Sequence, residues 1–311
     1  MNGLELSRAY FEEYGRPMLE ESFPELLPFL AVGLTGSGSE CFGFDDEISR
    51  DHDFEPGFCI FLPGEDVVDR RSAFLLERAY AKLPKEFHGV RREALLPVGG
   101  ARRGVLRTGE FFAEKVGAAD GNLTAEKWLL IPEEALAEAV NGEIFLDGYG
   151  EVTRIRASLA RYPEDVRRKR LAGQLLLMGQ AGQYNYRRCL RHGETGAARL
   201  AAGEFVRAAL AAVFLLNGRY RPYYKWSFRA LRALSLLSEL SSPLEGLLAC
   251  GAEAADEAEG IVEGIAEAVC RVLRTQGLST LAGSELEAQA YAVNDGIVDG
   301  QLRNLHVLAA V

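Results

Sequence analysis

Apolar residues in the first 150 positions come in short runs bounded by glycine, proline and acidic turns, whereas beyond Glu151 they recur at three- and four-residue steps. The runs FLAVGLTG (29–36), FCIFLPG (58–64) and GEIFLDG (142–148) predict strands. Helical spacing predicts helices over 4–28, interrupted near Pro17 and Pro24, over 66–83, and over 128–142, where Asn141-Gly142 ends the pattern. The segment RRGVLRTGEFFAEKVG (102–117) reads as a hairpin turning near Thr108-Gly109. Further helices are predicted over 151–191, 198–217, 224–240, 252–275 and near 284–307. In 252–275, Ile261, Val262, Ile265, Val269 and Leu273 form one apolar face. The pattern predicts an α+β chain, with a mixed sheet and its helices over 1–150 and an all-α helical bundle over 151–311.

Composition narrows the function classes. The 311 residues are 48% hydrophobic and 26% charged, without a low-complexity tract, which is the make-up of a packed chain. A formal charge of −10 repels polyanions at long range and argues against nonspecific nucleic-acid binding. Basic residues gather locally at Arg102, Arg103 and Arg107, and in the run Arg167, Arg168, Lys169, Arg170, which reads as a solvated helix flank. Cysteines 41, 59, 189, 250 and 270 show no CxxC spacing and an odd count, as expected of buried thiols in a reducing compartment. The first residues lack the basic start and apolar core of a signal peptide. The apolar stretch 200–218 carries Glu204 and Arg207, which suits a core helix and no membrane partner, so the expected location is the cytoplasm. Histidines 52, 88, 192 and 306 have no zinc-type pairing, and neither a GxSxG elbow nor a P-loop lysine occurs.

The densest polar stretch, GSGSECFGFDDEISRDHDFEPGFCIFL (36–62), joins two predicted strands. In extended backbone Asp51 and Asp53 project from one face and His52 from the other. Hard carboxylate oxygens at that spacing suit Mg²⁺ or Mn²⁺, which bind through carboxylates together with substrate phosphates. Upstream, the glycines at 36 and 38 and the serines at 37 and 39 can present backbone N–H groups and hydroxyls to phosphate oxygens. Gly38 and Ser39 are the first candidates, with Ser49 and Arg50 beside the carboxylates as further contacts. The third carboxylate that usually completes such a centre is expected at Asp147, with Glu143 and Glu126 as alternatives. Each of these could equally be a surface acid or turn former. Farther on, RYRPYYKW (219–226) clusters cations and aromatics. Lys225 could neutralise a triphosphate while Tyr223 stacks on a base, and the same cluster could be a helix junction.

An apolar strand, Gly38-Ser39, eleven intervening residues, Asp-His-Asp and a second apolar strand together resemble the signature of the polymerase-β-like nucleotidyltransferases. The longer string GSGSECFGFDDEISRDHDFEPGF, together with NGEIFLDGYGEVTRIRASLARYPEDV (141–166) and LNGRYRPYYKWSFRAL (216–231), resembles the bacterial nucleotidyltransferase-like domain of unknown function 4037. One departure is Glu55-Pro56-Gly57, which separates the acidic pair from the second strand. The resemblance implies a nucleotidyltransferase fold followed by helices, and Mg²⁺-dependent transfer of a nucleoside monophosphate from a triphosphate, ATP foremost. The acceptor would be a hydroxyl of a small molecule, a protein or an RNA end. It is equally compatible with a catalytically silent nucleotide-binding or regulatory module.

Overall fold

A computed structural model describes residues 1–48, 54–92 and 103–311. The fold is α+β, with a mixed four-stranded sheet in the N-terminal half and helices in the C-terminal half. The chain divides into two compact units, residues 1–123 with 134–160, and residues 124–133 with 161–311. The helix Glu151–Leu159 groups with the sheet, while 124–133 groups with the helices, so the chain passes between units more than once rather than once near 150.

In the first unit, strands β1 (Ala31–Leu34), β2 (Cys59–Leu62), β5 (Gly104–Arg107) and β6 (Glu143–Asp147) pair in the order β5-β2-β1-β6. Strands β3 (Glu86–Phe87) and β4 (Val90–Arg91) form a separate small hairpin. β1 runs antiparallel to β2 and to β6, with Val32 opposite Ile60 and Leu34 opposite Glu143, and β2 runs parallel to β5. The end of β1 and the start of β2 therefore share one edge of the sheet. Every residue of β1 and β2 is buried, as expected of central strands covered on both faces.

The N-terminal helix covers one face. It runs from Gly3 to Tyr10, through a π-helical turn at Phe11–Gly15, and on through Arg16–Ser22. Pro17 does not interrupt it, because the proline follows directly on the π-helical turn, whose shifted hydrogen bonding accommodates a residue without an N–H. Tyr10, Phe11 and Leu19 pack against Phe58 and Ile60 in one core cluster. The buried Ser7 hydroxyl donates to the Gly57 carbonyl at 2.7 Å, fixing the approach to β2.

Two expectations are corrected. The 102–117 segment is not a hairpin: β5 leads directly into the helix Thr108–Val116. Thr108, Phe112 and Val116 lie four apart and are buried, a helical spacing that the short extended run before them masks. The helix expected over 128–142 is two, Ala125–Leu130 and Glu133–Val140, because Ile131 precedes Pro132 and takes extended backbone.

The second unit is built of helices and connecting turns, with no strand among its described residues. Its longest members are Glu164–Met178, which continues through a π-helical stretch at Gly179–Tyr186, Thr195–Leu216 and Ala255–Thr275. On the last of these, Val262, Ile265, Val269 and Leu273 are buried as the spacing predicts, while Ile261, expected on the same face, is half-buried. No helix among the described residues is long and apolar enough to cross a membrane.

The basic run 167–170 is only half a solvated flank. Lys169 is fully buried, donating to Asn294 Oδ1 at 2.8 Å and to the Leu305 carbonyl at 2.6 Å, and it ties the C-terminal segment to the central helix. Arg170 donates to the Leu129 carbonyl at 2.8 Å and lies over the Tyr162 ring.

Burial lowers the pKa of Lys169. The unfolded chain then binds more protons between the folded and unfolded values, so this lysine's contribution to stability rises with pH through that window. Lys169→Met is expected to cost about 2–4 kcal/mol, since it leaves buried acceptors unmet. In urea unfolding at pH 8, 9 and 10, the gap between wild type and variant should widen with pH.

Candidate phosphate site at the sheet edge

Where β1 ends, the backbone turns at Thr35–Gly36. Gly36 takes φ +125°, a conformation that L side chains rarely adopt. The Asn141 side chain reads both polar groups of this glycine. Its Oδ1 accepts the Gly36 N–H at 2.9 Å and its Nδ2 donates to the Gly36 carbonyl at 2.7 Å. The Thr35 hydroxyl also lies 3.0 Å from Asn141 Oδ1, and it donates to the Glu138 carbonyl at 3.1 Å.

Asn141 is itself braced. The partly buried Arg156 guanidinium donates to the Val140 and Asn141 carbonyls at 2.7 Å each, closing the end of the helix Glu133–Val140. Desolvation pulls the Arg156 pKa down, as expected of a guanidinium that, among the described residues, meets carbonyls and no carboxylate. The next residue, Gly142, has φ +65°, and a Cβ there would overlap the Leu34 carbonyl. Sequence reading registered Asn141-Gly142 only as a helix stop, and the Asn-Gly pair was the available signal.

Beyond the clamp the turn is open. Ser37 is exposed, and the N–H groups of Ser37 and Gly38 meet no acceptor among the described residues. A cavity of about 190 Å³ lies here, lined by Gly36, Ser37, Gly38, Arg107, Glu110 and Glu114 among others. Small-molecule sites usually start near ~300 Å³, so this space suits the phosphate portion of a ligand. Ser39, half-exposed, opens the short 3₁₀ turn Ser39–Phe42.

The charges around the cavity are mostly committed. Arg107 donates to the Pro63 and Val68 carbonyls at 2.7 and 2.8 Å, and Lys115 pairs with Glu138 at 2.8 Å. Arg103, just before β5, is buried between two acids. It lies 3.0 Å from Glu40 and 3.4 Å from Glu55. One guanidinium thus joins the turn after Gly38-Ser39 to the segment leading into β2. Glu110 and Glu114 are exposed on the helix after β5, Glu114 lying 3.8 Å from Lys115 and Glu110 having no cationic partner among the described residues. Burial pushes the Cys41 and Cys59 thiols up, Cys59 to about 12, so neither offers a thiolate nucleophile at neutral pH.

Asp51, Asp53, Ser49 and Arg50, like Arg102, lie outside the described residues. Of the two residues expected to meet phosphate, Gly38 lines the cavity, and Ser39 follows it at the start of the 3₁₀ turn without lining the cavity. Asp147 lies elsewhere: it pairs with Ala31, at the far end of β1 from Gly36. Its two carboxylate oxygens accept the N–H groups of Gly150 and Thr153, both at 2.8 Å, anchoring the first turn of the helix Glu151–Leu159. That use explains an acid followed by glycine better than a third metal ligand does. Glu143 pairs with Arg8 on the surface, and Glu126 is an exposed residue of the second unit. Among the described residues no three His, Cys, Asp or Glu side chains stand close enough to hold a metal ion.

Tyr223 and Lys225 also belong to the second unit. Tyr223 stacks obliquely on Tyr224 with ring centroids 4.4 Å apart, and Lys225 Nζ lies 5.1 Å from the Trp226 ring centre, all on an exposed face. Arg221, from the same run, pairs instead with the buried Glu133 at 3.3 Å.

Residues 128–227 match the family model described as Domain of unknown function (DUF4037). No curated protein and no solved structure matches the chain. The DUF4037 match contains the clamp Asn141, its brace Arg156, the helix anchor Asp147 and the buried pair Lys169 and Arg170. Of the strings that carry the resemblance, 141–166 falls inside the match and 36–58 outside it. Asp147→Ala is expected to cost about 0.5–2 kcal/mol of stability through the lost helix anchor. It should leave the Gly36 turn and any ligand binding there unchanged, as chemical denaturation and calorimetry on one preparation would report.

Proposed function

We propose that the first unit holds the phosphates of a nucleoside triphosphate on the Gly36–Ser39 turn and transfers the nucleoside monophosphate to an acceptor hydroxyl. Mg²⁺ or Mn²⁺ would be bound through Asp51 and Asp53. The observation that carries this reading is an open glycine-serine turn and an acidic rim lining one cavity. Glu110, which has no cationic partner among the described residues, and phosphate oxygens sharing one cavity repel one another unless a cation intervenes. The cavity therefore suits phosphate in the company of a divalent ion. When bound, that ion supplies positive charge against the phosphate oxygens.

Glu110 replaces Asp147 as the third carboxylate of the reading, because its helix lines the same cavity as the turn. In the transfer, the acceptor oxygen bonds to the α-phosphorus. The bond from that phosphorus to the α,β-bridging oxygen breaks, and pyrophosphate leaves with the electron pair. The hydroxyl proton passes to a carboxylate, for which Glu110 is the candidate. Ser37 and Gly38 orient the phosphates through backbone N–H groups, while Asn141 keeps the turn from collapsing. A silent nucleotide-binding module is the second reading, favoured by the engagement of Asp147 as a helix anchor.

Calorimetry with ATP and GTP, with and without Mg²⁺, tests the triphosphate site on wild type and Asp51→Asn/Asp53→Asn. Metal-dependent binding that the double variant loses is expected; absence of binding under every condition sinks both readings. Pyrophosphate release from bound ATP, with water and added glycerol supplying acceptor hydroxyls, then separates them. Under transfer, Glu110→Gln retains binding but slows release by about 10²–10⁴-fold. Under the silent module, wild type releases none.

A further inference from the structure

The helical unit contains a cavity of about 320 Å³ that the proposed reaction does not use. Its wall combines the start of the helix Glu164–Met178, the end of the helix Thr195–Leu216 with the following Asn217-Gly218-Arg219, and Gln276. Three arginines line it, at 161, 167 and 219, against a single acid, Glu164.

That acid is already neutralised. Arg167 and Arg168 each lie 2.9 Å from a Glu164 oxygen. The carbonyls that end the helix Thr195–Leu216, which would otherwise repel an anion, are met from within. Arg167 donates to Leu215 at 3.3 Å and Gln276 to Leu216 at 2.8 Å. Arg161 and Arg219 are left over: both are exposed, and neither has a side-chain partner among the described residues. In a chain of net charge −10, cations that converge on a concave wall without matching acids are an imbalance that a bound anion would correct.

We propose that this cavity binds a small phosphate monoester. Guanidinium forks match the oxygens of a phosphate group bidentately, and their charge persists at any working pH. The volume stands at the lower end of the ~300–1,000 Å³ of small-molecule sites, enough for one compact ligand. A polyanion is disfavoured because the overall acidity repels it before it could reach the wall.

Titration calorimetry on the full chain, in low-salt buffer without divalent metal, tests this with inorganic phosphate, ribose 5-phosphate and ribose. The expected result is saturable binding of both phosphates and none of ribose. Arg161→Gln/Arg219→Gln should weaken binding at least tenfold, while Arg161→Lys/Arg219→Lys, which keeps the charge, should weaken it less. Because both arginines are exposed, Tm should be unchanged in either variant. No saturable phosphate binding, or equal affinity in wild type and the glutamine variant, overturns the proposal. So does binding that survives the glutamine variant and is lost in Ser37→Asp, which would locate phosphate at the sheet-edge turn.

Discussion

One amide side chain holding both polar groups of one glycine is the constraint on which the sheet edge depends. Gly36 sits in a backbone conformation that few residues adopt, and nothing in the local sequence would keep it there. Asn141, 105 positions later, does so through two hydrogen bonds. Asn141 is half-buried, and an amide withdrawn from water and left half-satisfied costs more than a satisfied one contributes, so the arrangement tolerates little deviation. Arg156 extends the same logic outward by fixing the carbonyls of the residues that carry the amide.

Electrostatics at this edge follows from a shortage of free cations. Arg103, Arg107 and Lys115 are each committed to carboxylates or carbonyls of the protein itself. The turn contributes backbone dipoles and no net charge, and the exposed groups beside it are acids. A ligand phosphate therefore cannot be held here by ion pairs with described side chains. The helical unit presents the reverse case: its central helix sends Lys169 and Arg170 inward to carbonyl oxygens, where their charge is spent on tertiary structure.

Much of the architecture was legible in the order of elements. Strands at β1, β2 and β6, and the dominance of helices after Glu151, follow from apolar periods alone. Tertiary partners were not legible. The hairpin reading of 102–117 hid Glu110, because only a helix starting at Thr108 turns that residue toward the glycine turn. Arg103 looked like part of a local basic patch, since its carboxylate partners lie 48 and 63 positions away. Asp147 shows the opposite failure. Its distance in sequence from the glycine turn says nothing about which end of β1 it reaches, and the antiparallel register with Ala31 decides against it.

Among the described residues β6 is an edge strand of the larger sheet, paired with β1 alone. The matched region 128–227 includes β6 and omits β1. A fragment with those bounds would expose an unpaired row of backbone donors and acceptors, the usual starting point for edge-to-edge association. It would also lack the glycine that Asn141 was placed to grip. The span by which this family is recognised is therefore not a span that can fold by itself. It takes in only residues 134–160 of the first unit and begins and ends inside the second, so the matched segment depends on chain to either side of it.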